Sequence, residues 1–152
     1  MVLVDLLPPL LHPTSTLLGL HDSGAYQDIP PRVDYTPFGE QCRLAYQLYQ
    51  PTLSPRCAAA YPAEPWRCVC GEFALPLLET PSQVILHQYD SYQLSQNLGR
   101  EPAAWSHQDC LFSESPFRTG MAATAAAVAA ETAVEHVVFA PACYRHGLLT
   151  SR

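Results

Sequence analysis

Residues 84–94, VILHQYDSYQL, run an apolar segment straight into a carboxylate. Val84, Ile85 and Leu86 read as a buried strand, and Asp90 stands at its end. A segment of this kind restricts the architecture, because in open α/β sheets ligands and reactive side chains gather at the carboxyl ends of strands. Residues 137–149, VVFAPACYRHGLL, have the same form. Their apolar run ends, and His146 follows on a short loop containing Pro141 and Cys143.

The 152 residues suffice for one domain with a core, and 48% of them are apolar while only 14% are charged. That balance argues against disorder. The net charge of −6, with eight arginines and no lysine, leaves no basic stripe for nucleic acid or an anionic membrane. No run reaches the roughly 18 apolar residues of a membrane span. Six cysteines are many for a cytosolic enzyme and ordinary for a secreted one, and six allow about 15 full pairings. The N-terminus is apolar, but Asp5, Pro8 and Pro9 interrupt it. It has neither a basic start nor a small-residue cleavage site, so no signal peptide is read there. A cysteine-rich body without a secretion signal points to a chain whose true N-terminus lies elsewhere.

Along the chain, residues 2–11 read as one short helical turn ending near Leu7, then a loop, because proline removes a donor. A strand is expected at 17–20, stopping at the turn cluster His21-Asp22-Ser23-Gly24. Residues 38–50 read as a helix with Cys42, Ala45, Tyr46 and Tyr49 on one face, ended by Pro51. Residues 51–66 are a loop or strained helix, with a bend at Gly71 beyond. A strand spans 83–89, and 95–119 is turn-rich with Trp105, Cys110 and Phe112 as anchors. The alanine-rich stretch 121–136 predicts a helix, and 137–139 a final strand. Strand–helix–strand alternation without internal repeats gives one α/β domain over 1–152, with few strands for a doubly wound sheet. That shortage implies part of a larger fold.

Asp90 and His146 are the leading chemical candidates. An acid followed by a histidine, each just past a strand, matches the last two members of a Ser, Asp, His order. In such a set the acid fixes the imidazole tautomer and the imidazole takes the serine proton. The bland alternative is a strand-end aspartate capping a loop, with a surface histidine. Ser23, in HDSGAY, lacks a G-x-S-x-G context and precedes no helical run. A local hydrogen bond suits it better than nucleophilic attack, and Asp22 reads as a loop brace. Cys68 and Cys70, with His87 or His107, are too closely spaced for a usual zinc site, and disulfides fit them better. Tyr26, Phe73, Tyr89 and Tyr92 are candidates either for an apolar acyl pocket or for plain core.

Residues 66–94, WRCVCGEFALPLLETPSQVILHQYDSYQL, resemble a segment of the Notum/pectin acetylesterase family through W-x-C-x-x-G, Pro-x-Leu and aromatic-Asp-x-x-Gln-Leu. FAPACYRHGLL, 139–149, resembles the family's segment bearing the catalytic histidine, and GLHDSGAYQD, 19–28, its G-L-x-D-S-G-aromatic region. The resemblance implies an α/β-hydrolase-like fold with an incomplete sheet, the C-terminal portion of a secreted serine carboxylesterase. It implies no metal and no cofactor. It also implies an acyl-ester substrate, either an acetylated glycan such as pectin or a lipidated protein such as palmitoleoylated Wnt. Carried over by position, Asp90 matches the acid, His146 the base, and Cys57 with Cys68 a disulfide.

Departures from the family pattern set further expectations. The nucleophile's G-x-S-x-G-G element and the oxyanion glycines lie upstream of this chain, so residues 1–16 form a divergent start and the chain alone is expected to be inactive. Val69 and Cys70 stand where two aromatics help wall the lipid pocket, which puts long-acyl specificity in question. Cys143 is left either free or paired with Cys110. The competing expectations are a non-catalytic glycan- or acyl-binding remnant and a truncated gene model without independent function.

Overall fold

The computed structural model describes residues 4–148, with the backbone alone at residue 102. The ends of the divergent start and of the 137–149 segment fall outside the described residues. The strands in chain order are β1 (Gly19–Asp22), β2 (Ser82–Ile85), β3 (Tyr89–Asp90), β4 (His136–Phe139) and β5 (Tyr144–Arg145). β1, β2 and β4 form a three-stranded parallel sheet with β2 at its centre, and β3 pairs in parallel with β5 as a separate ribbon. The architecture is α/β, with few parallel strands among the described residues.

The register fixes the two faces of the larger sheet, because residues paired across a ladder point the same way. One face carries the rows Gly19–Ser82–His136 and His21–Val84–Val138. The other carries Leu20–Gln83–Val137 and Asp22–Ile85–Phe139. Val84 on the first face joins a core with Leu75, Leu78, Leu86, Phe117, Met121 and Val128. On the second face Leu20, Val137 and Phe139 are exposed, although Ile85 is buried. A groove of about 430 Å³ runs over the sheet's amino end between Leu18, Pro81 and Glu135.

The helices are α1 (Phe38–Tyr49), α2 (Pro55–Ala60), α3 (Gly71–Ala74), α4 (Ser91–Leu98), α5 (His107–Phe112) and α6 (Thr119–Ala129). α1 starts and stops where the sequence predicts, but its buried residues are Phe38 and Gly39, and Tyr49 is exposed. α6 stops at Ala129, seven residues before the expected end, because His136 belongs to β4. Alanine propensity carries no information about where a strand begins. The predicted strand 83–89 is broken after Ile85, and its last part pairs with β5. β1 lies two residues later than expected and takes in His21 and Asp22, since ladder pairing with β2 outweighs their turn propensity.

Turn-rich 95–119 contains α5, closed at its start by a capping box between Ser106 and Asp109. Cys110 is exposed rather than an anchor, and Phe117 is a fully buried apolar residue there. The proline pair at 8–9 sits in a second short 3₁₀ turn, Pro8–Leu10, where missing amide donors are tolerated. Cys57–Cys68 and Cys42–Cys70 form disulfides, and Cys110 and Cys143 are free. Closing loops of 28 and 11 residues contributes about 3 kcal/mol each on the chain-entropy account.

Candidate active site

Asp90 ends β3 and is the N-cap of α4. Its Oδ1 accepts from the Gln93 amide at 2.9 Å, which satisfies one of the free donors at the helix start. The second carboxylate oxygen, Oδ2, lies 2.7 Å from His146 Nδ1. Asp90 is buried, and burial pushes its carboxyl above the ordinary value against the opposing pull of the Gln93 amide and His146. A second anchor fixes the start of α4: Gln93 donates to the Gln27 carbonyl at 2.6 Å and accepts from the Gln27 amide at 2.9 Å.

His146 follows β5 directly, and β5 is the partner of β3. Parallel pairing of Asp90 with Arg145 therefore brings the next residue, His146, beside the Asp90 carboxylate across 56 positions of sequence. With Nδ1 donating to Asp90, Nε2 is left as a bare acceptor, and the imidazole side chain is 34% exposed. The geometry brings the two expected residues together.

Two tyrosines flank the imidazole. The Tyr26 ring stacks at 6.0 Å and Tyr92 lies tilted at 5.2 Å. Burial, aided by the Asp90 charge, raises the Tyr26 phenol to about 12, so it remains neutral. Tyr26 and Tyr92 also line an open pocket of about 290 Å³ with Phe38, Cys42, Ala45 and Val69. The Cys42–Cys70 disulfide ties α1 to the residue after Val69 of this pocket, a pairing not expected from the sequence.

Of the other aromatic candidates, Tyr89 hydrogen-bonds Glu114 and packs on Tyr144. Phe73 sits among Tyr61, Trp66 and Arg67. Neither lines the pocket beside His146. Cys68 and Cys70 are both consumed by disulfides and offer no thiolate to a metal.

Ser23 is buried just past β1, with a left-handed backbone at φ 59°. Its hydroxyl donates to Asp22 at 3.0 Å, meets His87 Nδ1 at 2.9 Å and accepts from the Gly147 amide at 2.9 Å. The Asp22 carboxylate accepts from the Leu148 amide at 2.8 Å. The bracing is thus local, to Asp22, and also long-range, to His87 and Gly147. Nothing short-range in HDSGAY signals a partner 124 positions away.

A parallel α/β sheet whose strand ends bring a buried carboxylate and an imidazole together is the arrangement of an α/β-hydrolase-like fold, here with an incomplete sheet. The chain is 32% identical over 146 residues to palmitoleoyl-protein carboxylesterase NOTUM of Drosophila melanogaster. That match covers 90% of this chain and 19% of the relative, so the chain spans about a fifth of that protein's length. Two crystal forms of the Wnt deacylase Notum from Drosophila superpose with a TM-score of 0.70 at 28% identity. They cover 90% of this chain and 36% and 37% of theirs. No protein-family profile matches the chain. The chain belongs to the Notum/pectin acetylesterase family, a family of ester hydrolases.

Proposed function

We propose that this chain supplies the acid and the base of a serine carboxylesterase site that hydrolyses O-acyl esters. The attacking serine and the oxyanion donors come from polypeptide outside these 152 residues. The single observation behind this reading is the 2.7 Å contact between His146 Nδ1 and the buried Asp90 carboxylate, with Nε2 left open. In that tautomer Nε2 takes the proton of an attacking serine hydroxyl, and Asp90 stabilises the imidazolium that forms. The same proton passes to the departing alcohol oxygen. A water then loses its proton to Nε2, attacks the acyl-enzyme and releases the carboxylic acid and the serine. Among the described residues no serine hydroxyl is hydrogen-bonded to His146, and on this reading the chain by itself is expected to show no turnover.

The pocket between Tyr26, Phe38, Val69 and Tyr92 is the place for the acyl group, since it is aromatic and lies beside His146. The relative's name, palmitoleoyl-protein carboxylesterase, favours a lipidated protein as the acyl carrier over an acetylated glycan. Two disulfides fit an oxidising, extracellular setting.

The test is a chimera in which residues 17–148 replace the matching part of Drosophila Notum, assayed with p-nitrophenyl acetate and octanoate. The expected result is turnover that His146→Ala lowers by about 10³-fold or more. The isolated chain shows no burst and takes no fluorophosphonate label. Labelling of the isolated chain at a described serine, or a folded chimera indifferent to His146→Ala, overturns the proposal. An unlabelled chain that still binds a fatty acid, with no activity in the chimera, favours the non-catalytic acyl-binding reading instead.

A further inference from the structure

We infer that Ser23 is a positioning residue for His146, holding the backbone that presents the imidazole while Asp90 holds its ring. The inference rests on the proposed acid–base role of Asp90 and His146 and adds a third element to it. His146 is followed by Gly147, in a left-handed backbone at φ 75°, and then by Leu148. Both following amides are captured from the end of β1: Gly147 by the Ser23 hydroxyl at 2.9 Å, and Leu148 by the Asp22 carboxylate at 2.8 Å. The ring is thus fixed from the β3 end and the main chain from the β1 end.

The hydrogen-bonding capacity of the hydroxyl is filled. A serine oxygen offers one proton and two lone pairs. The proton goes to Asp22, one lone pair takes the Gly147 amide, and the other faces His87 Nδ1. Nδ1 of His87 must therefore carry its proton toward Ser23. His87 is fully buried and its Nε2 has no partner among the described residues, so that nitrogen is the bare one. Burial also holds the His87 imidazole below its ordinary range, which keeps this neutral tautomer in place. A neutral, Nδ1-protonated His87 backs Ser23 and leaves its acceptor side turned to Gly147.

The backbone of Ser23 argues in the same direction. A left-handed φ is costly for serine and cheap for glycine, yet serine stands there and is buried. Its amide donates to the Ile85 carbonyl at 3.0 Å, which ties the turn to the central strand. A residue held in a strained conformation by its surroundings, with every hydrogen-bonding position of its hydroxyl spent, is matched to what that hydroxyl touches.

The experiment reads the His146 tautomer by long-range ¹H–¹⁵N correlation spectra of the 152-residue chain near neutral pH. The parent is expected to be Nδ1-protonated at His146, and Asp90→Asn to lose that tautomer. Ser23→Gly removes the hydroxyl while relieving the backbone, so it is expected to lose less stability than Ser23→Ala, which loses the same hydrogen bonds and keeps the strained conformation. If Ser23 positions His146, Ser23→Gly and Ser23→Ala both shift the ring toward a mixture of tautomers. An unchanged His146 spectrum in folded Ser23→Gly overturns the inference, whatever Ser23→Ala does. Absence of the Nδ1-protonated form in the parent removes the Asp90–His146 pairing itself, and with it the functional reading.

Discussion

The two ends of the three-stranded sheet hold histidines under different conditions. At the carboxyl end, His146 Nδ1 is hydrogen-bonded to Asp90 and His87 Nδ1 to Ser23, which leaves only His87 Nε2 buried without a partner among the described residues. At the amino end and on the core-facing side, His21 Nε2 and both ring nitrogens of His136 are buried without a hydrogen-bond partner among the described residues. Asp5 Oδ1 is in the same condition, and its charge acts on His21. An unpaired buried polar group costs about 1–3 kcal/mol, whereas a paired one contributes a little stability. The difference lies in what faces each ring. Gly19 and Ser82 fill the row beside His136, and the Ser82 hydroxyl already donates to the Thr80 carbonyl at 2.8 Å. The carboxyl end was given acids and a hydroxyl that reach the ring nitrogens; at the amino end neither the Ser82 hydroxyl nor Asp5 Oδ1 is hydrogen-bonded to a ring nitrogen.

The largest effect that can test this contrast is catalytic. In the chimera, Asp90→Asn is expected to cut kcat about 10⁴-fold, because an amide no longer selects the Nδ1-protonated imidazole. Its stability should hold or rise at neutral pH. The sign follows from burial, which raises the Asp90 carboxyl above its unfolded value. As pH rises through that raised value the native state gives up a proton that the unfolded state has already lost, so the ionised carboxylate is a net cost. Chemical denaturation of the isolated chain at neutral pH measures this, and a clear loss of stability contradicts the account.

Next comes Gly19→Ala at the amino end. A Cβ there runs into the Ser82 hydroxyl and the His21 ring, an overpacking cost of about 1–3 kcal/mol. The His146 spectrum should not change, because the clash is confined to the other end of β1. If that spectrum moves, the two ends are coupled and the comparison fails. A smaller gain, about 1 kcal/mol, is expected from His21→Leu, which puts an apolar side chain in place of a ring whose buried Nε2 is unpartnered. A lower urea midpoint for this variant means that the ring has a partner in solution.

The smallest effect is a pH dependence common to both ends. Burial lowers the pKa of His21 and of His87 below the ordinary value of 6.5. Above pH 6.5 both rings are neutral in either state, and their contribution is complete. As pH falls below 6.5 toward the depressed folded values, the unfolded chain takes up protons first and stability declines. Melting curves between pH 7.5 and 5 should show this decline, and His21→Leu should remove only its own share of it.

Much of the site was legible because it depends on local pattern. Val84, Ile85 and Leu86 marked a buried strand, and Asp90 and His146 stood at the ends of two such runs. What failed were boundaries and partners. His136 was read into the alanine helix because helix propensity does not end where an alanine run ends; the ladder with Ser82 ends it. Cys70 was linked to no partner, and Cys42 was read only as a helix-face residue. Their pairing requires α1 to lie against the turn at Pro65–Val69. Ser23 was read as a local hydrogen-bonder because its short neighbourhood contains neither Gly147 nor His87.

The sequence by itself singled out Asp90 and His146 as the candidates and placed them at strand ends, since apolar runs and their terminating polar residues are consecutive in the chain. Only the tertiary structure decided which of those ends meet. Parallel pairing of β3 with β5 sets His146 against Asp90, and the turn after β1 closes on Gly147. The physical reason is register: a parallel ladder joins distant residues by backbone hydrogen bonds that any side chain permits, so the sequence near either residue does not specify its neighbour.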